Sequence, residues 1–137
     1  MKLLLKNANI ITDTENYISD IYISDGVIKK IEKNIEIFDV KTIDIEGKYL
    51  IPGGIDVHTH FNIDVGIAKS TDDFYTGTVA AACGGTTTII DHMGFGPKDC
   101  SLHYQLEKYH KFAEKNAVID YSFHLSLIHI SEPTRPY

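Results

Sequence analysis

The chain has 137 residues, 43% of them hydrophobic and 23% charged, an ordinary globular composition long enough for one modest core. Its formal net charge of −6 offers no basic footprint for nucleic acid or an anionic membrane surface, and no apolar run approaches the roughly 20 residues that span a bilayer. Two cysteines, Cys83 and Cys100, make no disulfide framework, and Leu3-Leu4-Leu5 between two lysines makes no signal peptide, so a reduced, cytoplasmic protein is expected.

Residues 2–11 are an apolar-rich strand candidate. Residues 21–24 and 27–31 flank Asp25-Gly26, a strong short-range signal for a tight hairpin because glycine tolerates the positive φ such turns need. Residues 42–45 and 48–51 flank Glu46-Gly47 and read as a second hairpin. Lys29, Lys30 and Lys33 read as a solvated strand edge, a device against edge pairing. Strands this short suggest a small sheet or half of a sandwich. Alone they bury little, so partners from elsewhere in the chain are expected.

From Pro52 the pattern changes. Residues 54–60 read as a strand and 70–83 as a helix, with Ser70 and Thr71 as N-cap hydroxyls, Asp72 and Asp73 in the first turn and Gly84-Gly85 as the stop. Cys83, before that stop, reads as a small buried residue. Residues 86–91 are rich in β-branched side chains and read as a buried strand. After a loop at 94–98, residues 101–115 place Leu102, Leu106, Tyr109 and Ala113 on one helical face, with His103 and His110 turned to solvent. Residues 118–123 are a further strand. Strand, helix, strand, helix, strand is the rhythm of an α/β protein built on a parallel sheet or barrel.

The chemistry concentrates in Pro52-Gly53-Gly54-Ile55-Asp56-Val57-His58-Thr59-His60-Phe61. Side chains alternate along a strand, so Asp56, His58 and His60 share one face while Ile55, Val57 and Thr59 take the other. Two histidines two residues apart at a strand's C-terminal end can present both imidazoles to one metal, and a neutral imidazole nitrogen suits zinc. With 7 histidines in the chain a close pair also arises by chance. Position singles this one out, because it ends the first strand of a βαβ series, follows Gly-Gly and precedes a loop, and that end of a parallel barrel is where active sites are built.

The string PGGIDVHTHFN resembles the first-strand signature of the amidohydrolase superfamily, in particular its hydantoinase and dihydropyrimidinase branch. The resemblance continues through NIDVGIAKSTDDFYTGTVAAACGGTTTIIDHMGFGP to AVIDYSFH and covers residues 1–124. Asn62 to Gly66, Asp72-Asp73-Phe74 and the run Asp91 to Pro97 are most similar to the D-phenylhydantoinase family.

That resemblance implies a (β/α)₈ TIM barrel, of which residues 52–124 would be about the first three βα units, preceded by half of a small β-sandwich at 1–51. It implies two zinc ions bridged by a carbamylated lysine and a hydroxide, with His58 and His60 as ligands of the more buried ion. The bridging lysine, two further histidines and a proton-shuttling aspartate would come from later strands, so no catalytic residue is expected here. The implied reaction opens the cyclic amide of a hydantoin or dihydropyrimidine to an N-carbamoyl amino acid. Residues 61–70 would line the substrate pocket, with Phe61, Asn62 and Ile63 as substrate-binding residues. The family implies a homotetramer acting on a small cyclic amide. Asp91, His92 and His124 also end strands, and are expected as structural hydrogen-bonding groups because the family takes no ligand from them. The alternatives are a dihydroorotase or allantoinase, which share His-x-His, and a non-catalytic scaffold like the collapsin-response-mediator proteins.

After His124 the resemblance stops. Residues 125–137 look like a translated sequencing-library adapter and are expected to be a non-native tail, in which His129 is not a ligand. Three of eight barrel strands leave an open parallel edge, so the chain alone is expected to be inactive, to bind zinc weakly and to fold poorly.

Overall fold

A computed structural model describes residues 1–94, 96, 97 and 100–124; the tail at 125–137 and part of the loop at 94–98 lie outside the described residues. The chain divides into two units, Met1–Pro52 and Gly53–Tyr137.

The first unit is a sheet built around β1 (Lys2–Ile11). Its neighbours are β2 (Asn16–Ser24), antiparallel to β1, and β3 (Val27–Glu32), antiparallel to β2 at the edge. Asp25 (φ 54°) and Gly26 (φ 76°) both take positive φ between them, the geometry of the expected hairpin turn. The edge strand β3 is exposed along its length, as its lysines suggested.

The second expected hairpin is corrected. β4 (Lys41–Asp44) and β5 (Tyr49–Leu50) do not pair with each other; both run parallel to β1, with Leu3 opposite Lys41 and Asn9 opposite Tyr49. Glu46 and Gly47 do take positive φ, but the backbone around them is already engaged. The register of β1 shifts between Leu5 and Ala8, and around that bulge Ile45 N–H donates to the Lys6 carbonyl (2.9 Å), Gly47 N–H to Asn7 (2.8 Å) and Asn9 N–H to Lys48 (3.1 Å). The turn steps the chain around the bulge, and the free edge of a ten-residue strand outcompetes a two-residue partner. Buried Asp20 locks the same bulge: its carboxylate accepts from Asn7 N–H (2.9 Å) and Ile35 N–H (3.0 Å). Ala8, Ile10 and Ile21 form the core, flanked by Leu5, Tyr17, Ile23, Ile45 and Leu50.

The second unit is a parallel sheet in the order β6-β7-β8, from β6 (Gly54–Thr59), β7 (Thr86–His92) and β8 (Asp120–His124), with α1 (Phe74–Cys83) and α2 (Leu102–Ala113) as the crossovers. Phe74, Ile89, Met93, Tyr109 and Ala113 make its core, with Phe61, Leu106, Phe112, Tyr121 and Phe123 packed around them.

Three local expectations change. Helix α1 starts four residues later than expected: Asp73 is the N-cap, accepting from Thr76 N–H while the Thr76 hydroxyl accepts from Asp73 N–H, a reciprocal capping box. The Thr76 N–H and hydroxyl, both donating to its Oδ1, hold the Asp73 carboxyl below the ordinary carboxylate range. The Ser70 hydroxyl is not free to cap, because it accepts from Ile63 N–H (3.1 Å) and donates to the Asp72 carbonyl. In α2, which Ser101 caps by accepting from Tyr104 N–H, Leu102 is exposed and Gln105 is buried instead. The Gln105 amide donates to the Gly94 carbonyl (2.7 Å) and the Tyr109 hydroxyl accepts from Gly94 N–H (2.8 Å), so this face holds the backbone after β7 as well as the core. Cys83 is exposed, not buried; it lies in the last turn of α1, beyond the residues Phe74, Gly77 and Thr78 that the helix buries.

Gly77 is where α1 meets the residues after β6: a Cβ there would run into the Phe61 ring. Alanine at a mid-helix glycine ordinarily stabilises by about 0.5–1 kcal/mol. Here Gly77→Ala is expected to destabilise the full-length protein by about 1–3 kcal/mol through overpacking, read as a lowered urea midpoint; a raised midpoint would show that Phe61 moves aside freely.

Candidate metal centre

His58, on β6, and His60, one residue past its end, bring their rings together, as the two-residue spacing predicts. Both are exposed, and their Nε2 atoms lie 3.2 Å apart. The Nδ1 of His60 is 3.1 Å from the backbone carbonyl of His92. A carbonyl only accepts, so Nδ1 carries the proton and Nε2, which faces His58 Nε2, keeps its lone pair. Asp56 Oδ1 accepts from the His58 backbone N–H (3.0 Å), tying the strand's own backbone beneath the first histidine.

The ring of His92 stacks on that of His58, with centroids 3.9 Å apart and planes 10° from parallel, and the ring of His124 stacks on that of His92 at 4.6 Å and 28°. His92 and His124 are register partners on β7 and β8, so the ends of three adjacent strands carry a row of imidazoles. Burial holds His92 below the usual histidine pKa, and the nearby His58 and His124 push it the same way. A signal for this row was present in the sequence, since each histidine ends a strand. Their contact depended on the pairing register.

Beneath the histidines lies Asp91, fully buried on β7. Its Oδ1 accepts from the Thr59 hydroxyl (2.7 Å) and from Phe61 N–H (2.9 Å), while Oδ2 meets no donor among the described residues. Burial pushes its pKa up to about 6, against the lowering effect of those two bonds. Asp91 is engaged through hydrogen bonds, whereas His92 and His124 are engaged through ring stacking, and His92 Nδ1 meets no partner among the described residues.

The loop after β6 is ordered by its own bonds. Asn62, at φ 51°, accepts from Phe74 N–H through its side chain (2.9 Å) and donates its backbone N–H to the Asp72 carbonyl (3.1 Å). Ser70 N–H donates to the Ile63 carbonyl (2.9 Å), and Lys69 pairs with Asp64 at 2.7 Å on the surface. The Phe61 ring packs against Phe74, with centroids 5.7 Å apart. Of the three residues expected to bind substrate, Asn62 and Ile63 line a cleft of about 310 Å³ shared with Ser70 and Lys108, whereas Phe61 faces the core.

The donor set fits a metal in part. A tetrahedral ion bound at about 2.0–2.1 Å sets its nitrogen ligands about 3.3–3.4 Å apart, close to the 3.2 Å between the two Nε2 atoms. A carbonyl facing the far nitrogen, as at His60, is the usual support for a ligating imidazole. Two ligands are fewer than the three or four a zinc site uses, and among the described residues no group of three or more His, Cys, Asp or Glu comes close enough to hold a metal.

The sequence profile of the Amidohydrolase family matches residues 49–128. D-phenylhydantoinase of Escherichia coli (strain K12 / DH10B) is 54% identical over 132 residues, covering 96% of this chain and 29% of that protein. The crystal structure of a D-hydantoinase superposes with a TM-score of 0.86 at 45% identity, over 91% of this chain and 27% of the other. Dihydropyrimidinase from Brevibacillus agri NCHU1002 gives 0.86 at 41% identity, over the same shares. The chain therefore spans less than a third of the length of these relatives. Its fold, a β domain followed by parallel βα units, fits the start of a hydantoinase barrel.

Proposed function

The chain belongs to the amidohydrolase family, and from that premise we propose that the longer protein it is part of is a metal-dependent hydrolase that opens the cyclic amide of hydantoins or dihydropyrimidines to N-carbamoyl amino acids. The observation that carries this reading is the pair of imidazole nitrogens 3.2 Å apart at the end of β6, in a chain 54% identical to a D-phenylhydantoinase. His58 and His60 would hold the metal, which we take to be zinc. When bound, the metal activates water at neutral pH and polarises the ring carbonyl.

This chain's contribution is to place ligands. The end of β6 brings both imidazoles together, His92 fixes the tautomer of His60 through its carbonyl, and the loop 61–70, which follows His60 directly, would contact the substituent on the substrate ring. Asn62 and Ile63 would act there directly. Phe61 would act from behind, by holding the loop to the core. The remaining ligands and the proton shuttle would come from later strands. The same reading makes the parent a cytoplasmic homotetramer, the chain by itself inactive, and residues 125–137 a non-native tail.

The test is hydrolysis of hydantoin, 5-phenylhydantoin and dihydrouracil by the full-length protein, before and after metal removal with a chelator. Ring opening lost on chelation and restored by zinc is the expected result. Stoichiometric metal without ring opening of any of the three, but with activity on dihydroorotate or allantoin, would move the substrate to the other cyclic amides. Purified protein holding no divalent metal would leave the scaffold reading.

A further inference from the structure

We propose that Asp91 is a positioning residue for His60, acting through Thr59 and Phe61. The proposal rests on the reading of His58 and His60 as metal ligands, and it concerns how the second of them is held.

The ladder between β6 and β7 breaks its register between Asp56 and Thr59, just where the second histidine must be placed. Pairing resumes only at Thr59, opposite Asp91, and no ladder pair holds His60 itself. The Asp91 side chain extends that hold: one carboxylate oxygen accepts from the side chain of the residue before His60 and from the backbone of the residue after it. The next residue of β7, His92, supplies the carbonyl that faces His60 Nδ1. Two consecutive residues of β7 thus grip three consecutive residues, 59–61. Asp91 is fully buried and, among the described residues, joins the pair in no group that could hold a metal, so it is not a third ligand. A buried carboxylate with one oxygen unpartnered costs stability, and a hydrophobic residue of its size would remove that cost. Aiming the imidazole is what the carboxylate does that such a residue cannot.

Asparagine keeps an acceptor oxygen for both donors, and alanine does not. The full-length protein is loaded with Co²⁺, whose visible absorption reports ligand geometry, and metal transfer to a competing chelator is measured alongside the thermal midpoint of the metal-free form. Asp91→Asn is expected to keep the Co²⁺ spectrum and to hold metal within about threefold of the parent, whereas Asp91→Ala alters the spectrum and weakens metal binding by about 10–100-fold. Should Asp91→Ala fail to fold, Thr59→Val removes one of the two grips and is expected to shift the spectrum the same way by a smaller amount. A parent-like spectrum and affinity in Asp91→Ala, with only the midpoint lowered, overturns the proposal and leaves Asp91 a core residue. So does an Asp91→Asn variant that loses metal as fully as alanine, since charge and not grip would then matter. If instead the parent takes up no cobalt, or His58→Ala and His60→Ala hold it unchanged, the ligand reading itself fails and carries this one with it.

Discussion

Replacing His60 by alanine in the full-length protein is expected to release the metal and lower kcat/KM by at least about a thousandfold, about 4 kcal/mol of barrier. The size follows from what goes missing. Water at neutral pH is a poor nucleophile, and a metal that lowers its pKa by several units supplies most of the driving force for attack. Removing one imidazole takes away one of the two ligands this chain supplies, and no other described residue is placed to replace it. His58→Ala is expected to do the same and, in addition, to leave His92 without the ring it stacks on at 3.9 Å. Because the two act as one unit, the double variant should be no worse than either single one. Metal content by atomic emission and kcat/KM on dihydrouracil check this together. Full metal content in either single variant would show that β6 is not a ligand strand.

The second large effect is on stability. Phe74→Ala is expected to cost about 3–5 kcal/mol, the range for deleting a buried aromatic ring, seen as a lower urea midpoint with an unchanged slope. Phe74 is fully buried, and Phe61, Tyr121, Phe123 and Tyr109 surround it with ring centroids 5.7–6.4 Å away. Helix α1, the loop after β6 and strand β8 meet on this one ring. Its backbone N–H is the donor that Asn62 accepts from, so the damage should reach the loop beside the histidines and weaken metal retention as well. A loss below about 1 kcal/mol would mean that the neighbouring rings close the cavity, an outcome the close packing of interiors argues against.

What could be read from the sequence alone was whatever depends on a few adjacent residues. Asp25-Gly26 declared a turn because positive φ is a property of the residues themselves. Residues 101–115 declared a helix because apolar side chains recur at its spacing. His58 and His60 declared a shared face because strand alternation is fixed by backbone geometry. Family resemblance carried the reading from that pair to the start of a barrel. The tertiary structure decided everything that depends on which distant group arrives first. Glu46-Gly47 has the dihedrals of a hairpin turn, yet β4 and β5 join β1 instead, because a long strand with a free edge and a bulge offered their backbones better partners. Ser70 could have capped α1, but Ile63 claimed its hydroxyl. Gln105 displaced Leu102 from the buried face because Gly94 needed a donor for its carbonyl. Asp91 was legible as a hydrogen-bonding residue but not as the grip on Thr59 and Phe61. Local dihedral preferences act within a few bonds and are carried in the chain, whereas hydrogen-bond partners are settled by competition among groups that only the folded register brings together.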